Sequence, residues 1–391
     1  MIRFEAVSKE FPDGTKAVDA LSFEAPTGQI TVLVGPSGCG KTTSLRMINR
    51  MIEPTGGRIW IDDQDTSTMD ETELRRGIGY VIQHAGLFPH RTIIANIATV
   101  PMLLGWDRRK AEARARELLE RVGLPASFAK RYPAQLSGGQ QQRVGVARAL
   151  AADPPVMLMD EPFSAVDPVV REQLQDEFLR LQSDLGKTIV FVTHDIDEAI
   201  KLGDRVAVLR AGGHLAQVAD PEYLLAHPVD DFVADFVGKD RGYRALSFQA
   251  SPPFSLTREQ TVPLGASPEQ AARAALDGWV LVVDDSQHPL GWVEPARISG
   301  PIEPETLHRG GTVAVAGGPL RNVLDAALSS PSRRGVIVDE QGAFLGTIRA
   351  HEVLAEIEER ARPELKNGPE LKNGPALQNE KSAAGESPAC R

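Results

Sequence analysis

The sequence predicts an α/β fold, a parallel sheet carrying a phosphate-binding loop, followed by a smaller α+β module and a low-complexity tail. Three observations predict it. Gly35 to Thr43 read G-P-S-G-C-G-K-T-T, in which Gly35, Gly40, Lys41 and Thr42 have the spacing of a loop that wraps a polyphosphate. Three apolar runs rich in β-branched residues, Ile30 to Val34, Val156 to Met159 and Ile189 to Thr193, suit strands buried on both faces of a parallel sheet. Past Arg244, Asp284-Asp285 followed by Leu290-Gly291 recurs as Asp339-Glu340 followed by Leu345-Gly346, which marks an internal repeat.

In chain order, residues 2 to 8 and 18 to 25 are expected strands around a Pro-Asp-Gly turn at Pro12 to Gly14. Phe11, just before that turn, suits a hairpin cover and an aromatic stacking surface equally. The third strand runs into Gly35, Pro36, Ser37, Gly38, Cys39 and Gly40, whose backbone N–H groups can turn inward on phosphates, and a helix starting near Lys41 adds its free amides and positive dipole end. Lys41 would reach the β/γ-phosphates; Thr42, followed by Thr43, would ligate Mg²⁺. The other two buried strands end at Asp160-Glu161 and at His194. Ligands bind off the carboxyl ends of such strands, so Gly35, Asp160 and His194 should converge. Asp160 suits Mg²⁺ held through water, and Glu161 suits polarisation of an attacking water. Leu136 to Arg143, L-S-G-G-Q-Q-Q-R, places Ser137 and Gln140 as a capping box, and Gly138 and Gly139 leave amides uncovered at that helix start. Two such anion sites for one nucleotide suggest a dimer closing on it.

A chain of 391 residues should form two or three domains, and 42% hydrophobic residues suffice for real cores. With 43 Lys and Arg against 53 Asp and Glu the formal charge is -10, which argues against a nucleic-acid backbone as partner. Apolar runs are too short to cross a bilayer and Met1 to Phe11 has no signal-peptide core, so a cytoplasmic protein is expected. The cysteines are Cys39 and Cys390, too few for a disulfide framework.

Taken in order, these motifs make residues 1 to 240 resemble the ATP-binding subunit of an ABC transporter, with an ABC-type phosphate-loop domain and a helical subdomain. The resemblance implies that Gly35 to Thr43 are the Walker A loop, Gln83 the Q-loop, Leu136 to Gln140 the signature, Val156 to Asp160 Walker B, Ser164 to Asp167 the D-loop and His194 the switch histidine. It further implies adenine stacking on Phe11, Mg²⁺ and coupling roles for Gln83, a base at Glu161, and a γ-phosphate contact at His194. Ser137, Gly138, Gly139 and Gln140 would act on ATP held by the partner subunit of a homodimer. Ile78 to Ile97, Val100 to Trp106 and Asp235 to Arg241 resemble importers of glycine betaine, carnitine and choline. In that family the stretch around His84 to Pro89 receives a transmembrane permease at the cytoplasmic membrane face, and a solute-binding protein acts through the permease. An importer of another small solute is the alternative. A soluble ABC ATPase acting on nucleic acid or ribosomes would usually carry a second cassette, which this sequence does not show.

The expected divisions are an ATPase domain at 1–244, a linker at 245–258 around Ser251 to Phe254, a repeated module at 259–360 divided near 305, and a disordered tail at 361–391. Each repeat, a strand, turn, strand, helix unit with helices near Pro268 to Leu276 and Pro319 to Leu328, resembles one CBS copy. The resemblance implies regulation, dimerisation, or binding of an adenine nucleotide or cyclic di-AMP. The Ser/Thr-then-Asp pattern of ribose-binding copies is replaced by Glu294 and Arg297 in the first and by Arg349 and Glu352 in the second.

Overall fold

The structure, a computed structural model, describes residues 1–83, 86–164 and 166–361. The chain forms two compact units, Met1–Ala245 and a second beginning at Leu246. The tail expected at 361–391 lies outside the described residues from 362 onward.

In the first unit, strands β1 (Ile2–Glu10), β2 (Lys16–Ala25), β4 (Gly56–Ile61) and β5 (Gln64–Asp65) form an antiparallel sheet in the order β2-β1-β4-β5. The other sheet runs β10-β9-β3-β8-β7-β6, from β3 (Ile30–Val34), β6 (Ile78–Val81), β7 (Val156–Asp160), β8 (Thr188–Val192), β9 (Arg205–Arg210) and β10 (His214–Ala219). Every residue of β3, β7 and β8 is buried. Alternate side chains feed opposite cores: Val32, Met157 and Phe191 enter one, Leu33, Leu158 and Val190 the other. That two-sided burial is why these runs read as unbroken apolar stretches. Their pairings are parallel, with Leu33 and Asp160 both opposite Val192, so the chain leaves all three strands at one edge.

Helices α1 (Lys41–Ile48) and α2 (Glu71–Arg76) precede β6. Between β6 and β7 lie α3 (Ile93–Ile97), α4 (Thr99–Leu103), α5 (Arg108–Arg121) and α6 (Gly138–Leu150). Helices α7 (Pro168–Leu185) and α8 (Ile196–Leu202) flank β8; α9 (Pro221–Ala226), α10 (Asp231–Val237) and α11 (Arg241–Ala245) end the unit. Phe163, Phe178 and Phe191 pack ring to ring at 5.9–6.3 Å beneath the residues that follow β7.

The second unit contains one arrangement twice. β11 (Thr261–Pro263) lies parallel to β12 (Val280–Val283), which pairs antiparallel with β13 (Pro289–Val293); helix α12 (Pro268–Ala274) connects the first two. β14 (Val313–Val315), α13 (Leu320–Ser329), β15 (Arg334–Val338) and β16 (Phe344–Arg349) repeat the order. Even the irregularity recurs: Val282 opposes Gly291 and Ile337 opposes Gly346, and each register slips at the next pair. The recurrent aspartates close the hairpins. Asp284 Oδ1 accepts the N–H of Ser286 and of His288, and Asp339 Oδ1 those of Gln341 and Ala343. The repeat therefore opens with a short strand and a helix, ahead of the hairpin that the sequence shows. Only the second copy is followed by a helix, α14 (Ala350–Ala361); the first ends in a 3₁₀ turn, Pro295–Arg297.

The stretch expected as a linker is built into this unit from Leu246. Ala250 bridges to Pro319 and Thr257 to Thr347, and Gln249 O accepts the Leu320 N–H at 2.7 Å. Its prolines read as a spacer, but the start of α13, at 318–321, and Thr347 on the edge strand β16 offer it backbone partners. The physical lock is Glu259, 2% exposed, which takes two hydrogen bonds from the equally buried Arg334 at 2.7 and 3.0 Å and one from the Thr347 hydroxyl.

Candidate nucleotide-binding site

The loop from Gly35 to Gly40 joins β3 to α1. Gly40 sits at φ +88°, and a Cβ there would stand 2.2 Å from the Ala17 carbonyl oxygen; Gly38 sits at φ +79° with open space around its Cβ position. Glycine is needed at the first for close backbone packing, and at the second it leaves a cradle free. Lys41, 6% exposed, donates its ammonium to the carbonyls of Gly35 at 2.8 Å and Pro36 at 3.0 Å, so the charge stands over the loop. Cys39 is buried within the loop, and burial pushes its thiol up from its ordinary value. Pro36, Ser37 and Thr43 complete the segment.

Thr42 Oγ1 donates to Asp160 Oδ1 at 2.9 Å. Burial, the largest influence on it, pushes the Asp160 carboxyl above the usual carboxylate range, against the Thr42 hydrogen bond and the Arg46 charge. A hydroxyl and a carboxylate at this spacing are hard oxygen donors of the kind Mg²⁺ takes. The sequence reading missed Arg46, 3.8 Å from Asp160 Oδ2. Its signal was available, because position 46 is four residues past Thr42, on the same helix face.

Glu161 follows β7 with φ +45°, a left-handed backbone that only surrounding bonds can hold; its N–H donates to Val192 O at 2.9 Å. That turn aims the carboxylate across the sheet edge. Gln83 Nε2 donates to Glu161 Oε2 at 3.1 Å, and His194 Nδ1 lies 3.2 Å from the same oxygen. Gln83, Glu161 and His194, from three strand ends, thus meet at one carboxylate. Ser164, whose Oγ stands 3.4 Å from Gln83 Nε2 and donates to Glu161 O, supports both. Its contribution could not be read from the motif.

Ser137 caps α6 as the sequence predicts: its hydroxyl accepts the Gln140 N–H and Gln140 Oε1 accepts the Ser137 N–H. Gly138 and Gly139 open the helix. Phe11 lies in the β1–β2 turn with the Lys9 ammonium 5.4 Å from its ring. Asp167 precedes α7, its carbonyl accepting the Arg171 N–H. His84, Ala85 and Ala165, within the expected Q-loop and D-loop neighbourhoods, lie outside the described residues.

The sequence profile of the ABC transporter family matches residues 18–164. The osmoprotectant import ATP-binding protein OsmV of Salmonella typhimurium is 45% identical over 359 residues, covering 89% of this chain and 94% of that protein. The chain belongs to the ATP-binding subunits of ABC transporters. This ABC subunit is also 43% identical to the choline transport ATP-binding protein OpuBA of Bacillus subtilis, over 89% of the chain and 94% of the relative. The dimeric ATP-binding cassette MJ0796, solved bound to ADP and Pi, matches 56% of the ABC subunit at 34% identity with a TM-score of 0.52, over 99% of its own length. ATP hydrolysis coupled to transport is the activity of this family.

Proposed function

We propose that this subunit energises import of a quaternary-amine osmoprotectant such as glycine betaine, choline or carnitine, as a homodimer beneath a transmembrane permease served by a solute-binding protein. The observation that carries the substrate class is the likeness to osmoprotectant and choline systems at 43–45% identity, which runs through both units. Bound ATP with Mg²⁺ supplies the phosphoanhydride bond and neutralises phosphate charge. For its part, the chain would cradle phosphates on the loop amides and Lys41 and offer Mg²⁺ the oxygens of Thr42 and Asp160, with the amide oxygen of Gln83, which is held against Glu161, as a further ligand. Glu161 Oε2, oriented by Gln83 and His194, accepts the proton of the attacking water. Phe11 stacks on adenine. Ser137, Gly138, Gly139 and Gln140, with Asp167, close on the partner's nucleotide.

A cleft of about 560 Å³ between α3, α4 and α5, lined by Phe88, Arg91, Met102, Leu103, Arg108 and Glu112, suits a helix of the permease. Phe88, Met102 and Leu103 expose apolar surface there. No helix among the described residues is long and apolar enough to cross a membrane, which fits a peripheral subunit at the cytoplasmic face.

The second unit we read as a tandem CBS pair that regulates or dimerises the transporter, from its twice-repeated strand order. Glu294 pairs with Arg297 at 2.7 Å, Glu352 accepts the Arg349 backbone N–H at 2.7 Å, and the Arg349 guanidinium pairs with Asp277, so these side chains already have partners within the unit. An adenine nucleotide or cyclic di-AMP is better accommodated between the copies, in a cavity of about 330 Å³ lined by Trp292, His308 and Arg309. Equilibrium dialysis with labelled cyclic di-AMP tests this; no retention removes it.

The deciding experiment is uptake of labelled glycine betaine after osmotic upshift in cells lacking the gene, complemented with wild type, Glu161→Gln or empty vector. Uptake restored by the wild type alone is expected. Equal uptake in all three would overturn the substrate class.

A further inference from the structure

Glu198 is a buried carboxyl that the mechanism above does not use. It lies on α8, four residues past His194, and is 6% exposed among the apolar Ala199, Ile200 and Leu202. Gln175 of α7, equally buried, donates its Nε2 to Glu198 Oε1 at 3.1 Å, and the Thr193 hydroxyl bonds the same carboxyl. Thr193 Oγ1 in turn accepts the Asp195 N–H at 3.1 Å, and Asp195 Oδ1 accepts the N–H of Asp197 and of Glu198 at the start of α8. The loop that carries His194 is therefore enclosed by bonds that end on Glu198. On the other side, one turn before Gln175, Arg171 donates its N–H to Asp167 O at 2.7 Å and Nη2 to Val166 O at 3.0 Å. Two turns of α7 thus grip the Asp167 loop at one end and Glu198 at the other.

An apolar side chain at 198 would pack two helices without the desolvation cost of a carboxyl. What the carboxyl adds is a fixed register, because a buried acceptor is satisfied in only one alignment of α7 against the 193–198 segment. We propose that Glu198 is a positioning residue that fastens the His194 loop to the helix leaving the Asp167 loop, so that the two move as one piece. In the dimer this links the γ-phosphate contact of one site to the loop that faces the other. The proposal rests on the roles assigned above to His194 and Asp167.

The test compares full-length wild type, Glu198→Ala, Glu198→Gln and Gln175→Leu. Hydrogen exchange is measured on nucleotide-free protein at segments 166–172 and 192–198, and ATP hydrolysis in parallel. Glu198→Ala and Gln175→Leu should speed exchange in both segments together, by roughly tenfold or more for one lost buried hydrogen bond. They should lower kcat with KM for ATP unchanged; Glu198→Gln, which keeps the acceptor, should restore both readouts. Loosening of one segment alone, unchanged exchange, or failure of Gln to rescue would overturn the proposal. A wild type that does not hydrolyse ATP would instead refute the function, and the exchange result would still decide the coupling.

Discussion

Alanine at Gly40 and alanine at Gly38 should have different consequences, although both glycines occupy the same loop at nearly the same φ, +88° and +79°. A left-handed backbone costs an L-residue about 1–2 kcal/mol in either case. At Gly38 nothing lies within 4 Å of the new Cβ, so the cost ends there. At Gly40 the Cβ would meet the Ala17 carbonyl oxygen at 2.2 Å and Val18 Cγ2 at 3.1 Å. Real Cβ atoms do not approach backbone so closely, so β2 or the loop must shift, adding about 1–3 kcal/mol of overpacking. Gly40→Ala is thus expected to destabilise the first unit by about 2–5 kcal/mol and Gly38→Ala by about 1–2. Urea titration read by hydrogen exchange of β3 and β8 peptides separates this unit from the second. ATP affinity should fall in both variants, by loss of loop geometry in one and by an obstructed cradle in the other. If Gly40→Ala proves no less stable than Gly38→Ala, the packing argument for the loop is wrong.

Three further outcomes are expected. Glu161→Gln should hold an ATP-bound dimer, seen by light scattering; a variant that stays monomeric in saturating ATP would remove the assigned base. Glu259→Gln strips the buried Arg334 of its two-bonded counter-charge and leaves only the half-exposed Asp277 carboxylate, 3.7 Å from Nη1; it should cost the second unit about 3 kcal/mol, the low end for breaking a buried pair, measured as lost exchange protection in β15 and β16. His288 has Asp284 Oδ2 at 3.1 Å from Nδ1 and Gln341 O at 3.0 Å from Nε2, and a neutral ring can donate to only one of them. Its pKa is raised, first by the Asp284 hydrogen bond. The link it makes between the two hairpin turns should therefore be complete below the ordinary histidine value of about 6.5 and fade as pH rises through the raised one. NMR titration placing His288 no higher than in the urea-unfolded chain would refute this.

The sequence by itself determined whatever is encoded within one short stretch. The phosphate loop, the capping box at Ser137 and Gln140, and the buried strands β3, β7 and β8 are contiguous, and each is specified by local chemistry: glycine backbone freedom, a cap, and two-sided burial. Parallel order at one sheet edge then followed, bringing Gly35, Asp160 and His194 together. Strands β11 and β14 span three residues each, too few to show a period, so the start of each repeat was not legible. Only the tertiary structure decided which polar groups share a partner. Gln83, Glu161 and His194 lie on separate segments, as do Glu198 with Gln175 and Glu259 with Arg334. A carboxylate on an apolar helix face or in a proline-rich stretch carries no sequence mark of the donor that will satisfy it. Burial makes that donor obligatory, and the fold alone selects it.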